Sequence, residues 1–154
     1  MNKKYQSTKI IELGSCAFRQ PGAESRCRYI HGYRLTAKFW FGCSELDDNN
    51  WVINFGGLGK AKDLLQKQFD HTLVLSKDDP ALSTFKHLHN QDVVDLRVMD
   101  DGVGVEKFAE LCFNIMEEYI HKETSGRCWV DKVEVFEHEN NSAIYMEYSS
   151  RDKS

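Results

Sequence analysis

The segment from His31 to Phe41 alternates between apolar and polar side chains, and this alternation constrains the fold more than any other feature. A period of two residues is that of a β-strand with one buried face and one solvated face. The apolar set consists of Tyr33, Leu35, Ala37, Phe39 and Phe41. We therefore expect a half-buried strand of an antiparallel sheet.

Further strands are predicted where β-branched and apolar residues cluster between turn residues. They cover residues 6–18, 128–137 and 142–148, with a short continuation at 51–55. A loop is expected at 20–26 and a turn at 139–141. A hairpin at each end of the chain indicates an α+β domain with one antiparallel sheet.

Apolar residues at helical spacing predict one helix that opens at Gly56-Gly57 and a stronger one over 104–120. The segment between these two helices combines helical, strand-like and turn patterns. It contains a short apolar run at 71–75, a turn around 78–80, a short helix at 81–89 and a strand-like stretch at 95–99.

Length and composition limit the classes of protein to consider. The 154 residues suit a single domain over 1–154, with a core at 6–148 and a polar tail at 151–154. The net charge is -4, and the sequence has no evident cluster of basic residues. Both observations argue against nucleic-acid binding. No apolar run approaches the roughly 20 residues of a membrane span. The five cysteines include no Cys-x-x-Cys pair, so we expect a reduced, cytoplasmic protein.

Cys27 is the first candidate for chemistry. A thiol reacts as thiolate, which nearby positive charge favours, and Arg26 and Arg28 flank this cysteine. The alternative is a loop cysteine without a role.

Two further candidates are an Asp-His pair and a glutamate. Asp70-His71 directly follows the first helix, and a carboxylate beside an imidazole can fix its tautomer and raise its basicity. The same dipeptide can also be a simple turn. Alternation puts Glu137 on the apolar face of its strand, where a ligand with paired N–H groups could satisfy it. If the alternation ends there, Glu137 is solvated.

The order of these motifs resembles the 6-pyruvoyl and 6-carboxytetrahydropterin synthases over residues 6–148. The motifs are Ala17-Phe18-Arg19, Cys27-x-x-x-His31-Gly32, Trp51–Phe55, Phe69-Asp70-His71, Glu106, Val135-Phe136-Glu137 and Tyr145. The Cys-x-x-x-His-Gly spacing is most similar to the bacterial 6-carboxytetrahydropterin synthases of the queuosine pathway.

The resemblance implies a T-fold, which is a four-stranded antiparallel sheet with two helices on one face. Three subunits of this fold close a twelve-stranded barrel, and two barrels stack into a homo-hexamer with active sites between subunits. The implied substrate is 7,8-dihydroneopterin triphosphate or a related pterin.

The resemblance also implies roles for single residues. Cys27 matches the catalytic thiol, and Asp70 with His71 matches the pair that assists proton transfer. Glu137 matches the anchor of the pterin ring, and Glu106 is a second substrate-binding position.

Zinc is the cofactor that the resemblance implies, held by three histidines. In this chain His31 is the retained ligand, while Phe18 and Tyr33 occupy the other two positions. Phenylalanine offers no lone pair to a metal. Tyr33 as phenolate and Cys16 nearby on the first strand are the remaining donors from which a site could be built.

Three hypotheses follow. The first is a zinc-poor or metal-free lyase that acts on a pterin or related substrate with Cys27, His71 and Asp70. The second is a protein that holds a pterin or purine through Glu137 without turnover. The third hypothesis is a non-catalytic partner subunit of an active homologue.

Overall fold

A computed structural model describes residues 3–147. Six strands form one sheet in the order β4-β3-β1-β2-β5-β6. Their bounds are β1 Tyr5–Phe18, β2 His31–Cys43, β3 Thr72–Ser76, β4 Leu96–Met99, β5 Cys128–His138 and β6 Asn141–Met146. The pairs β1–β2, β2–β5 and β5–β6 are antiparallel, whereas β3 lies parallel to β1 and β4 parallel to β3.

Three α-helices accompany the sheet. They are α1 Gly59–Phe69, α2 Leu82–Asn90 and α3 Val105–Thr124. Single 3-10 turns cover Arg26–Arg28 and Phe55–Leu58. No helix within residues 3–147 combines the length and the apolar character that crossing a membrane requires.

The core lies between the sheet and helices α1 and α3. Helix α3 buries Phe108, Cys112 and Met116, which are four residues apart and so share one face. Strand β2 buries Leu35, Ala37, Phe39 and Phe41 as its alternation predicts. At 20–33 cal/mol per Å², burying a large apolar side chain such as Leu35 or Phe39 contributes roughly 2 kcal/mol to the free energy of unfolding.

The sheet is larger than the resemblance implied. Strands β3 and β4 extend it beyond β1, so six strands and three helices replace the expected four and two. Their segments are apolar but only five and four residues long. Such short strands form only by pairing with a neighbour, and sequence pattern does not reveal that pairing.

Three of the predicted elements also differ. The expected strand continuation at 51–55 is wrong, because Asn54 caps a 3-10 turn that leads into α1. Helix α1 accordingly begins at Gly59 and not at Gly56-Gly57. The predicted last strand at 142–148 is observed as Asn141–Met146. The polar tail at 151–154 lies outside the described residues.

Candidate active site

Asp70 and His71 form a hydrogen-bonded pair at the start of β3. His71 Nδ1 lies 3.0 Å from Asp70 Oδ1. The same carboxylate oxygen accepts the Ser15 N–H at 3.0 Å. These two contacts, the backbone one first, lower the pKa of the Asp70 carboxyl below its usual value. Both residues lie in the turn between α1 and β3, and within that turn the carboxylate is placed to orient the imidazole.

The backbone of His71 is strained to make this arrangement. Its φ of 60° is left-handed, which costs a non-glycine residue roughly 1–3 kcal/mol. The His71 N–H donates to Ser15 O at 2.7 Å and so ties the residue to β1. The side chain of His71 is 85% exposed. The ring is thus fixed at one nitrogen and open to a ligand.

Gly14 makes room for the carboxylate. Strand β1 has a register shift between Glu12 and Gly14, and Gly14 has a φ of 110°. A Cβ at this position would overlap Asp70 Oδ1. The bulge and the missing side chain together let Asp70 dock against β1.

Cys27 lies in an exposed turn between β1 and β2. Ser25 caps this turn by accepting the Cys27 N–H at 3.3 Å. The Cys27 carbonyl accepts the Gln20 N–H at 2.9 Å. The thiol is therefore accessible on a segment whose backbone is held at two points.

Arg19 ties the same turn to the loop before α2. Its Nε and Nη2 donate to the two carboxylate oxygens of Asp79 at 2.8 and 2.5 Å. Its Nη1 donates to Arg28 O at 3.2 Å. The Asp79 side chain is fully buried, and the Arg19 contact lowers the pKa of its carboxyl. Arg19 thus links a buried carboxylate to the segment that carries Cys27.

Four rings gather where β1, β2 and β5 meet. Phe18 lies opposite His31 in the β1–β2 ladder, with ring centroids 5.0 Å apart. Tyr33 lies 5.6 Å from His31, 6.0 Å from Phe18 and 6.0 Å from His138. We call Phe18, His31, Tyr33 and His138 the aromatic cluster. His138, which the sequence did not bring into the site, closes one side of it.

Phe18 anchors this cluster in the core. It is 3% exposed and packs edge-on against Phe108 at 5.0 Å. His31 and Tyr33 are half-buried on β2. The rings therefore form an apolar floor with two polar side chains at its surface.

Glu137 lies next to the aromatic cluster at a bulge. The β5–β6 register shifts between Phe136 and His138, which leaves Glu137 between two ladder positions. Burial first, and then the charges of Glu137 and Cys27, raise the pKa of the Tyr33 phenol. Glu137, Cys27 and Tyr33 are therefore close enough to interact, and the phenol keeps its proton at neutral pH.

Glu106 lies in the first turn of α3. A Cβ at Gly104 would lie 3.7 Å from Glu106 Oε2 and closer still to Gln20 Nε2. Gln20 also binds the Cys27 carbonyl, so Glu106 lies on the same side of the molecule as the Cys27 turn.

The predicted residues lie at two places in the sheet. Glu137 and Cys27 interact electrostatically with Tyr33, and His31 packs against it. Asp70 and His71 lie just before β3, and His71 lines an open cavity together with Tyr33. Strands β3 and β5 are three spacings apart in the sheet, which is about 14 Å. One chain does not bring Glu137 and His71 into contact.

The residues at the implied zinc position do not fit zinc. Phe18 has no donor atom, and a protonated Tyr33 is not a phenolate ligand. Burial raises the pKa of the Cys16 thiol to about 11, whereas zinc binds thiolate. Within residues 3–147 no three His, Cys, Asp or Glu side chains gather closely enough to hold a metal ion.

Sequence reasoning missed three residues that shape the site, Gly14, Asp79 and His138. An isolated glycine inside a strand pattern, such as Gly14, is a signal for a bulge or a close approach. Arg19 appears in the motifs but without its partner Asp79, which comes 60 residues later. His138 is exposed and also contacts Tyr33.

The sequence matches known proteins over most of its length. The sequence model of the 6-pyruvoyl tetrahydropterin synthase family matches residues 12–148. The 6-carboxy-5,6,7,8-tetrahydropterin synthase of Rickettsia felis is 32% identical over 73 residues, 47% of this chain and 52% of the relative. The protein of that name from Bacillus subtilis is 25% identical over 97 residues, 63% of this chain and 64% of the relative. The chain thus aligns with about half the length of the Rickettsia felis protein.

Solved structures show the same fold. An uncharacterized protein from Wolinella succinogenes superposes with a TM-score of 0.81 at 17% identity, covering 94% of this chain and 99% of that one. The 6-pyruvoyltetrahydropterin synthase of Plasmodium vivax gives a TM-score of 0.65 at 17% identity with the same coverage. The fold is therefore an α+β T-fold. Because the family model spans most of the chain, the protein belongs to the 6-pyruvoyl tetrahydropterin synthase family.

Proposed function

We propose that the protein is a tetrahydropterin-synthase-like lyase that acts on 7,8-dihydroneopterin triphosphate or a related pterin. The observation that carries this proposal is the Asp70–His71 pair, whose imidazole is oriented at 3.0 Å and open to a ligand. The left-handed backbone of His71 follows the end of α1, where helices commonly carry such a residue, and it holds the imidazole beside Asp70.

The roles follow from the chemistry of each group. Neutral His71 accepts a carbon-bound proton, and the electron pair of that C–H bond expels the triphosphate with its oxygen. Asp70 stabilises the imidazolium that forms. Glu137 accepts two N–H groups from the pterin edge, and Cys27 supplies a thiol next to it. Glu106 contacts the substrate from the start of α3.

We propose that a second copy of the chain completes each site. Strand β5, which carries Glu137, and strand β3, which follows His71, are about 14 Å apart across the sheet, so we infer that a pterin held at Glu137 meets His71 of a neighbouring subunit. The homo-hexamer of stacked trimers that the resemblance implies supplies such a neighbour. We assign this chemistry to deazapurine synthesis of the queuosine type, in the cytoplasm.

The test is incubation with 7,8-dihydroneopterin triphosphate, followed by measurement of triphosphate release and of the pterin products. We expect turnover, with loss of at least about 100-fold in His71→Ala, as for removal of a general base. His87→Ala is the matched control, because His87 is an exposed histidine on α2. Substrate that binds and is recovered unchanged would contradict the lyase.

Complementation tests the shared site. Cys27→Ala and His71→Ala subunits are each inactive, and co-refolding them in equal amounts restores about a quarter of the activity if each site draws on two chains. No recovery would contradict the inter-subunit site.

A second candidate is a protein that binds a pterin or purine without turnover. The aromatic cluster favours it, because rings replace the donor atoms of the implied metal site. Tight binding without product, lost in Glu137→Ala, would select this candidate.

A further inference from the structure

We propose that Cys43 and Cys128 form a reversible redox site, in which a small disulfide oxidant converts the two thiols into one cross-strand disulfide. Both cysteines are free thiols in the structure. They lie at the opposite end of the β1–β2 ladder from Phe18 and His31, and so away from the aromatic cluster. Oxidation of this pair therefore does not depend on the proposed lyase activity.

The two residues form one rung of the β2–β5 ladder. Cys43 is the last residue of β2, Cys128 is the first residue of β5, and the antiparallel register places them directly opposite each other. Opposite residues of an antiparallel pair have Cα atoms about 4.5–5.5 Å apart and side chains on the same face. A disulfide requires a Cα separation of about 4.4–6.8 Å. The rung therefore has the backbone dimensions that a disulfide needs.

The two thiols are also neighbours within the core. Both belong to the same cluster of buried residues. Burial is the main cause that raises the pKa of Cys128 to about 12, and the Cys43 thiol contributes to that rise, so the two groups are near enough to interact. Among the described residues, Cys16 lies opposite Tyr33 at the far end of β1, and Cys112 lies on α3. Neither of these two shares a rung with another cysteine.

Arg127 favours Cys43 as the thiol that reacts first. Burial raises the pKa of the Cys43 thiol, and the Arg127 guanidinium, which is hydrogen-bonded to this thiol, partly offsets the rise. The same guanidinium donates to Glu45 O at 2.9 Å and to Val52 O at 2.7 Å, which holds it beside the rung. A fixed positive charge next to a cysteine increases the fraction of reactive thiolate.

The rung lies at the ends of two strands, which gives an oxidant a route to it. Local opening requires less free energy at the end of an element than in the middle of a sheet. Since both side chains are buried in the closed state, we expect oxidation over hours, whereas the exposed Cys27 reacts quickly.

The reaction consists of two successive thiol–disulfide exchanges. The Cys43 thiolate attacks one sulfur of the oxidant, which forms a mixed disulfide and expels the other half of the oxidant as a thiolate. The Cys128 thiolate then attacks the sulfur of Cys43, which closes the protein disulfide and expels the second half. The two protein thiols lose two protons and two electrons, and the oxidant is reduced to two thiols.

The test incubates the reduced, folded Cys27→Ser protein with excess oxidised glutathione for several hours without denaturant. Removal of the exposed Cys27 leaves the four buried cysteines. We expect alkylation in denaturant to detect only two free thiols, and trypsin to release peptides 39–60 and 128–132 linked together. The urea midpoint should rise, because the disulfide closes a long loop and restricts the unfolded chain. Dithiothreitol should restore all four thiols.

Matched variants identify the pair. Cys43→Ala and Cys128→Ala should each prevent the linked peptides and the rise in the urea midpoint, whereas Cys112→Ala, which removes another buried thiol, should keep both. Four free thiols after incubation, glutathione adducts without a link, or a link that includes Cys16 or Cys112 would overturn the redox site. The native pair is present in the incubated protein, so these results do not require the alanine variants to fold.

Discussion

Asp70 occupies the space that a side chain at residue 14 would fill. Gly14 has a left-handed φ of 110°, and its Cβ position overlaps the Asp70 carboxylate. The bulge of β1 next to Gly14 also turns the Ser15 N–H toward that carboxylate, which accepts it at 3.0 Å. One glycine thus positions the carboxylate that orients His71.

Gly14→Ala is expected to disrupt the Asp70–His71 pair. The methyl group collides with the carboxylate, and alanine tolerates the backbone conformation poorly, so the free energy of unfolding falls by roughly 1–3 kcal/mol. Turnover is expected to fall as in His71→Ala. Urea unfolding and the triphosphate assay measure both effects. Gly22→Ala is the control, because no atom lies within 4 Å of a Cβ there. Equal activity in the two variants would contradict the positioning role of Gly14.

Asp70→Asn is expected to change stability in a pH-dependent way. The folded state lowers the pKa of the Asp70 carboxyl, so its contribution is present above the ordinary value near 4. That contribution disappears as the pH falls through the lowered folded pKa. The stability gap between the native protein and Asp70→Asn should therefore shrink from pH 5 to about pH 2.

Urea unfolding at several pH values measures this gap. Asp48→Asn, at an exposed aspartate in a turn, provides the baseline. A gap that stays constant down to pH 2 would show that the carboxylate charge does not stabilise the fold.

Much of the fold could be predicted from residue patterns. Alternation defines β2 and the apolar stripe defines α3, since both elements bury one face against the same core. The strand-like stretch at 95–99 is confirmed as β4, whereas β3 was visible only as a short apolar segment at 71–75. Their place in the sheet depends on parallel pairing with β1, which is a tertiary contact without a local signal.

The candidate site was predictable in composition but not in arrangement. Cys27, His71 and Glu137 came from residue chemistry and motif order. The hydrogen bond within Asp70–His71 depends on a bulge in another strand, 55 residues earlier. The contact of His138 with Tyr33 depends on the β2–β5 pairing. Neither relationship is encoded by residues that are near each other in sequence.

Cys27 is expected to be the one fast-reacting thiol of the folded protein. Cys27 is exposed and the other four cysteines are buried. Burial raises the pKa of Cys128 to about 12, which further suppresses its thiolate. Titration with a thiol-reactive disulfide should give one rapid equivalent when folded and five in denaturant. Cys27→Ser should abolish the rapid phase, and a remaining rapid thiol would contradict the burial of the others.

Arg19→Ala is expected to destabilise the protein and to loosen the Cys27 turn. It leaves the buried Asp79 carboxylate without its cation, which costs about 2–3 kcal/mol because Arg19 itself is partly solvated. Arg28 O loses its donor as well, so the modification rate of Cys27 should change.

Arg19→Lys keeps the positive charge but lacks the planar guanidinium group. Its stability should therefore lie between that of the native protein and that of Arg19→Ala. Arg34→Ala is the control, since its pair with Glu12 is exposed and its loss should have little effect on stability. An unchanged Cys27 rate in a folded Arg19→Ala would show that Arg19 stabilises only the loop of Asp79.

Phe18→His with Tyr33→His is expected to create a zinc site with His31. In a tetrahedral site with Zn–N near 2.1 Å, histidine ring centroids lie about 5 Å apart. The rings of Phe18, His31 and Tyr33 are separated by 5.0, 5.6 and 6.0 Å, which is close to that geometry. The spacing of these rings is therefore compatible with three histidines around one zinc ion.

Metal analysis after dialysis against zinc measures the result. The double variant should hold about one zinc per chain, and either single variant should hold less because two histidines leave the site incomplete. His87→Ala in the double variant controls for adventitious surface binding. Stoichiometric zinc in the unaltered protein would contradict the assignment of Phe18 and Tyr33 to the ligand positions. Failure of a well-folded double variant to bind zinc would show that the ring positions do not correspond to a metal site.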